Sequence, residues 1–315
     1  MVASNLVLIP GAGGVGRAVL EQLRGQDTPV RVMVRRKDER AAELSRLGTD
    51  VVIGDLTRPE TVAAALEGVT RMFFAMTVSP DHLLAATIVA CVAKEYGKLE
   101  VLVDLSQMTV SQMTATSTAE SHQQRLHWLA EQVLNWSALP VVHIRPTVFL
   151  DTPLFTTMAA KSIQESGTIA LPFGTGRTSP VVVDDVARVV ATVLRDPSPH
   201  IGHVYELTGP KAVDMTELAA IFSGALDRPV SYVDVPLDRW LAGLSKMGLP
   251  PHTEQHVATM AQLHRDNRYD RTADGVERVT GIPPQSIEAF VAARRDFYLG
   301  GGDRGAAGLG VNSSR

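Results

Sequence analysis

Apolar and polar positions fall into two alternating patterns through the first half of the chain. Short apolar runs near 5–9, 30–34, 51–53, 71–76, 101–105 and 141–145 predict buried strands. Stretches with apolar residues at helical spacing predict helices near 15–24, 39–47, 59–66, 81–95 and 119–135. Regular strand–helix alternation with short polar breaks predicts an α/β fold, a Rossmann-type doubly wound parallel sheet. The breaks carry their own signals. Asp27-Thr28-Pro29 reads as a turn, Asp55 and Thr57 are placed to cap a helix starting at Pro59, and Gly68 follows that helix as a left-handed cap.

Beyond about residue 150 the pattern loosens. Gly167 to Pro180 reads as a loop around a short strand, Ile169 to Leu171. Asp184-Asp185 is expected to cap a helix running to Leu194. Helices are expected at 216–226, 238–247, 254–263 and 287–298, the last with Ile287, Phe290, Val291 and Phe297 near one face, and a strand at 230–235. The organisation predicted is a nucleotide-binding domain over 1–150, joined by 181–207, a small mixed C-terminal substrate lobe over 151–299, and a disordered tail over 300–315. Such a lobe is expected over the carboxyl ends of the strands, with substrate in the crevice.

The first break is the most informative. Asn5-Leu6-Val7-Leu8-Ile9-Pro10 runs into Gly11-Ala12-Gly13-Gly14-Val15-Gly16, a Gly-x-Gly-x-x-Gly turn between a strand and a helix. Gly11 permits the tight turn, Gly13 lets backbone approach a diphosphate, and Gly16 lets helix pack on strand. The free amides at the helix start, around Gly14 and Val15, face the phosphates. At the end of the second strand stands Val34-Arg35-Arg36-Lys37, where an NAD-binding chain would carry a carboxylate. Arginine binds a ribose 2′-phosphate through paired charge-assisted bonds, so NADP(H) is favoured over NAD(H), with Arg35 ahead of Arg36. The bland alternative is a solvated basic run before the next helix. Asp55 is suited to accept from the adenine amino group with Leu56 packing on the ring, or to act as a plain cap. Ala75 and Met76 end the fourth strand, where a small residue allows close approach to the cofactor ribose.

Composition narrows the partners. Of 315 residues 45% are hydrophobic and 20% charged, and the net charge of −4 offers no basic footprint for nucleic acid or a membrane surface. No apolar run spans a bilayer and no leader precedes the first strand, so a cytoplasmic protein is expected. The single cysteine, Cys91, lies in an apolar stretch and reads as a small core residue. His252 and His256 lie one turn apart, but no third ligand is evident and no metal is expected.

Together these residues resemble the NmrA-like branch of the atypical short-chain dehydrogenase/reductases. Besides the glycine turn, the resemblance is carried by Val30 to Arg35, Gly54-Asp55-Leu56, His127 and Glu131, Ile144-Arg145-Pro146-Thr147-Val148-Phe149, Val183-Asp184-Asp185-Val186-Ala187, Tyr205 to Pro210, and Thr280-Gly281-Ile282-Pro283-Pro284. It implies a Rossmann domain, preference for NADP(H), and membership of a group holding quinone reductases, triphenylmethane-dye reductases and non-catalytic redox sensors. It also implies that backbone at Pro146 meets the nicotinamide carboxamide. Ser106 falls where the superfamily's catalytic serine region begins; a loop hydroxyl satisfying backbone is the plainer reading.

Two departures stand out. The glycine loop is one residue shorter than the Gly-x-x-Gly-x-x-Gly of many relatives. The Tyr-x-x-x-Lys pair is replaced by Gln123 and His127, and no tyrosine lies between Tyr96 and Tyr205. Reduction of a simple ketone needs an acid for the alkoxide, whereas a quinone or a cationic dye accepts hydride without one. The expected function is therefore an NADPH-dependent reductase of a quinone or similar electrophile. The alternative is a non-catalytic NADP(H) sensor with a protein partner. His127 is the candidate to contact the nicotinamide ribose and to shuttle a proton, or else a packed helix residue. Phe149, Phe155 and Phe173 fit either an aromatic pocket or the core.

Overall fold

The computed structural model describes residues 5–11 and 13–301. Through residue 146 it runs β1 Val7–Pro10, α1 Val15–Arg24, β2 Val30–Val34, α2 Glu39–Arg46, β3 Asp50–Ile53, α3 Pro59–Leu66, β4 Arg71–Phe74, α4 His82–Tyr96, β5 Val101–Leu105, α5 His122–Trp136 and β6 Val141–Pro146. There follow α6 Thr157–Ser166, β7 Thr168–Leu171, α7 Val183–Arg195, β8 Val204–Leu207, α8 Met215–Leu226, β9 Ser231–Asp234, α9 Leu237–Leu244, α10 Pro251–Arg265, α11 Gly275–Thr280, α12 Ile287–Ala292 and α13 Arg295–Leu299. These elements gather into two compact units.

The first unit takes in residues up to 113, 123–145 and 186–206. Its centre is a seven-stranded sheet in the order β3-β2-β1-β4-β5-β6-β8. The β1–β2, β2–β3, β1–β4, β4–β5 and β5–β6 pairs are parallel. Parallel strands covered by helices on both faces must be apolar throughout. Accordingly Val101, Leu102 and Val103 are wholly buried, as are Met72, Phe73 and Phe74. Each such side chain withdrawn from water contributes about 1.5–3 kcal/mol. The strand order reverses between β1 and β4. In open sheets of this kind the reversal opens a crevice at the carboxyl ends, where ligands bind.

The second unit takes in 114–122, 146–185 and the residues from 207 onward. A two-stranded parallel sheet, β7 with β9, packs with α6, α8, α12 and α13 around a core that includes Phe155, Phe173, Phe222, Phe290 and Tyr298. Phe155 and Phe173 are thus core residues, and Phe149 is half-buried. The Tyr298 hydroxyl donates to the Phe155 carbonyl at 2.9 Å, which satisfies its polar end inside that core.

Several local expectations are corrected. Cys91 is exposed, because α4 turns only one face inward, along Ala85, Ala86, Val89, Ala90 and Ala93. Neither Asp55 nor Thr57 caps α3. The cap position is Arg58, without a side-chain bond, while the Asp55 carboxylate accepts from Thr57 instead. Helix α7 begins at Val183, so Asp184 and Asp185 lie in its first turn. The Val183 amide is taken by Asp151 Oδ2 at 2.8 Å, and Asp185 accepts from the Gln285 amide at 2.7 Å. The expected helix over 287–298 is broken into α12 and α13 by Arg294, whose ψ of 22° leaves the helical range. Strand β4 ends at Phe74, so Ala75 and Met76 sit in the loop beyond it. The expected tail falls outside the described residues, apart from Gly300 and Gly301.

Candidate dinucleotide site

The glycine turn joins β1 to α1 on one side of the strand-order reversal. Gly11 has φ +82° and donates to the Met33 carbonyl at 2.8 Å, which pins the turn to β2. Gly14, the residue before α1, has φ 52° and ψ −127° and makes no side-chain cap. The first-turn amides of α1 therefore have no capping side chain, and the helix start carries the positive end of its dipole. A Cβ at Gly16 would stand 2.7 Å from the Gly11 carbonyl oxygen, so glycine is required for helix and turn to meet. A Cβ at Gly13 meets nothing within 4 Å, and this residue is exposed. The turn is thus tight on its protein side and open on its outer side, the geometry a diphosphate cradle requires. Val15 is buried beneath it, and Ala12 lies outside the described residues.

Arg35 and Arg36 follow β2 and are both exposed. Across from them, Asp55 is held below the usual carboxylate range by the hydrogen bond from the Thr57 amide, with help from the nearby charges of Arg35 and Arg58. The structure therefore brings Asp55 and Arg35 within electrostatic reach of one another. Thr61 locks the loop: its hydroxyl donates to the Asp55 carbonyl at 2.8 Å and accepts from the Asp55 amide at 3.0 Å. Leu56 is buried, while Ala75 and Met76 are half-buried.

Beneath α5 lies a polar interior that sequence reading only partly found. Glu131, 1% exposed, receives both Nε and Nη2 of Arg145, at 2.9 and 2.5 Å. Beside it His143 spans Asp104 Oδ2 (2.8 Å from Nδ1) and Asn135 Oδ1 (3.1 Å from Nε2). Burial alone would lower the proton affinity of His143. The hydrogen bond and charge of Asp104, with Glu131, outweigh it and hold the imidazole above its ordinary pKa. The two carboxylates are thus matched by the Arg145 guanidinium and by an imidazole whose proton affinity they raise. Asp104, Glu131 and His143 are close enough to surround an ion, but His143, both Glu131 oxygens and Asp104 Oδ2 are already engaged with one another, Asn135 and Arg145, and of this set Asp104 Oδ1 alone has no partner among the described residues.

Gln123 occupies the expected tyrosine position. It is buried, and its Oε1 accepts from the Ser79 amide at 3.1 Å, so it anchors the loop after β4. His127, one turn on, lies against His82, with ring centroids 4.0 Å apart. His82 is not among the candidates the sequence offers; its partner is distant in the chain, and an apolar helix start gives no signal for it. Ser106, just past β5, is buried, and its amide donates to the Ile144 carbonyl at 2.8 Å. Pro146 closes β6 and begins the second unit. In that unit His122 packs edge-on against His252 at 5.2 Å, while His256 Nδ1 is bonded to Ser121.

A glycine turn feeding a helix at the reversal point of a parallel sheet defines a nucleotide-binding α/β protein of Rossmann type. The chain belongs to the NmrA-like family, whose model matches residues 3–292. It is 28% identical to an NAD(P)H azoreductase of Xenophilus azovorans over 290 residues, covering 91% of this chain and 97% of the relative. An NADPH-dependent quinone oxidoreductase of Escherichia coli, solved with NADPH, superposes with a TM-score of 0.79 at 22% identity, over 91% of this chain and 99% of the other. NmrA, a negative transcriptional regulator solved with NAD, superposes with a TM-score of 0.75 at 17% identity, covering 92% and 95%. Among the described residues no helix is long and apolar enough to cross a membrane.

Proposed function

We propose that this protein is an NADPH-dependent reductase that delivers hydride to a small conjugated electrophile, a quinone or an azo compound. The observation that carries the reading is the glycine turn, closed against Gly11 on its protein side and open above Gly13. It fits a diphosphate, and the azoreductase and the quinone oxidoreductase named above use nicotinamide dinucleotides. A reduced nicotinamide dinucleotide supplies the hydride when bound. The chain's own residues bind and orient it. Amides of Gly13, Gly14 and Val15 hold the diphosphate, while the Gly16 amide donates to the Gly13 carbonyl at 3.1 Å and closes the turn. Arg35, with Arg36 beside it, binds the 2′-phosphate. Asp55 and Leu56 hold the adenine, and Ala75, Met76, Ser106, His127 and Pro146 line the path toward the nicotinamide.

With Gln123 engaged by Ser79, nothing at the tyrosine position supplies an acid. That favours electrophiles whose reduced form is a stabilised anion. The test is NADPH oxidation by purified protein across a panel of quinones and azo dyes, with NADH in parallel. The reading predicts turnover with at least one class and a preference for NADPH. The same engaged Gln123, together with the likeness to NmrA, supports a second reading, a dinucleotide sensor with a protein partner. Tight NADPH binding with no oxidation across the panel decides for it.

A further inference from the structure

His82 opens α4 and has no exposed surface. Among the described residues neither of its ring nitrogens has a hydrogen-bond partner. Leaving a buried polar atom unsatisfied is destabilising. Phenylalanine would fill nearly the same space with no such penalty, so packing does not account for an imidazole here. A buried ring with two idle nitrogens makes sense if another state of the protein uses one of them.

The neighbour able to use it is His127. The two rings lie 4.0 Å apart and are tilted by 46°, between a flat stack and an edge-on contact. Rotation of the rings, with their centroids about 1 Å further apart, brings a nitrogen of one within hydrogen-bond reach of the other. The titratable groups turned toward His82 are His127 from α5 and Asp104 from β5; β4 contributes the Phe74 ring, 5.7 Å away. One oxygen of Asp104 is committed to His143, and the other has no partner among the described residues. Burial lowers the proton affinity of His82, opposed in part by the Asp104 charge, which suits His82 to be the neutral, accepting ring of a pair. A second proton would set two cations with ring centroids 4.0 Å apart in a buried place, where like charges strongly disfavour it.

We propose that His82 is the positioning partner of His127, and that the two imidazoles act as one unit sharing a single proton. The proposal rests on the reading that His127 faces the bound dinucleotide. In that reading the electrophile gains hydride from the reduced dinucleotide, which leaves oxidised. It also gains one proton from the imidazolium of the pair, and the pair recovers a proton from water. His82 thereby keeps His127 charged by accepting its N–H, a role that neither Gln123 nor an aromatic ring can fill.

The test begins without turnover. Histidine-labelled protein is titrated by NMR as wild type, His82→Phe and His82→Gln, alongside thermal melting. Loss of the acceptor in His82→Phe is expected to move the His127 midpoint down by about one pH unit, a tenfold drop in its charged fraction. The melting temperature stays level or rises, since the idle nitrogens are gone. Glutamine offers an acceptor oxygen and is expected to restore part of the midpoint. It also serves if the phenylalanine variant fails to fold. The alkaline limb of the kcat profile with a quinone, where the imidazolium loses its proton, should move with the midpoint. An unchanged His127 midpoint in both variants overturns the proposal even if wild type reduces quinones. Wild type that shows the coupled midpoint but oxidises no NADPH overturns the reductase reading alone.

Discussion

Gly16→Ala tests the glycine turn at its tightest point. The new Cβ would stand 2.7 Å from the Gly11 carbonyl oxygen and 3.5 Å from Ile9 Cγ2. Both neighbours are fixed: one is backbone, and the other belongs to a wholly buried side chain. Reaching an ordinary contact of 3.4 Å opens the turn by roughly 0.7 Å. An amide–phosphate bond of about 2.9 Å stretched that far exceeds about 3.5 Å and is lost. Each charge-assisted bond contributes about 1.5–3 kcal/mol, so one lost bond weakens NADPH binding roughly ten- to a hundredfold. Titration calorimetry with NADPH reads this directly, and a thermal melt should show a parallel loss of stability. Gly13→Ala is the control. Its Cβ meets nothing within 4 Å, so the free protein should melt like wild type. Binding should still fall, because the methyl occupies space the diphosphate needs. If Gly16→Ala binds NADPH as tightly as wild type, the turn is not the phosphate cradle and the reasoning fails.

Further outcomes follow from other contacts. If the exposed Arg35 guanidinium meets only the extra phosphate, as proposed, Arg35→Ala should weaken NADPH about tenfold and leave NADH unchanged; equal losses for both coenzymes would remove Arg35 from that role. Arg145→Leu strands the buried Glu131 carboxylate and should cost about 3–5 kcal/mol in urea unfolding. Adding Glu131→Gln should recover part of that cost, and a double variant no better than the single would refute the pairing. His264 and His256 are buried and lowered from 6.5 to about 4 by loss of solvation, opposed at His264 by its bond to the Met260 carbonyl. Their folded pKa lies below the unfolded one, so their contribution is complete above pH 6.5 and is lost as pH falls toward 4. Each accounts for about 3 kcal/mol over that window. His264→Phe, sitting between Phe173 and Tyr269, should flatten the acid loss measured by denaturant unfolding at pH 7 and 5. Exposed Cys91 should react with a thiol reagent in the folded protein without changing NADPH binding.

The first six strands and five helices are readable because a sheet covered on both faces needs apolar runs, and Val101 to Val103 or, broken only by Arg31, Val30 to Val34 supply them. The glycine turn is readable because its demands are local. Most of the corrections have non-local causes. Cys91 lies in a stretch apolar enough to suggest burial, yet the face it occupies turns outward. Asp184 and Asp185 have the look of a cap, but an aspartate far upstream, Asp151, takes the amide. Strand β8 escapes a sequence reading because it is only four residues long, and helix α6 because Thr157, Lys161, Ser162, Gln164, Glu165 and Ser166 leave it few apolar positions to show a helical period. The polar interior beneath α5 is half visible. Glu131 and Arg145 carry family likeness, whereas Asp104, His143 and His82 are ordinary letters until α4, β5, β6 and α5 bring them together.

The sheet order has a consequence for how the chain is made. Strand β6 gains its outer neighbour, β8, only when residues 204–207 emerge. During synthesis the intervening polypeptide must be threaded out before that flank is sealed. A nascent or clipped chain ending short of β8 presents a raw row of amides and carbonyls, an invitation to stray strands. Proteolysis between β6 and β8 is therefore expected to yield insoluble fragments rather than a working half.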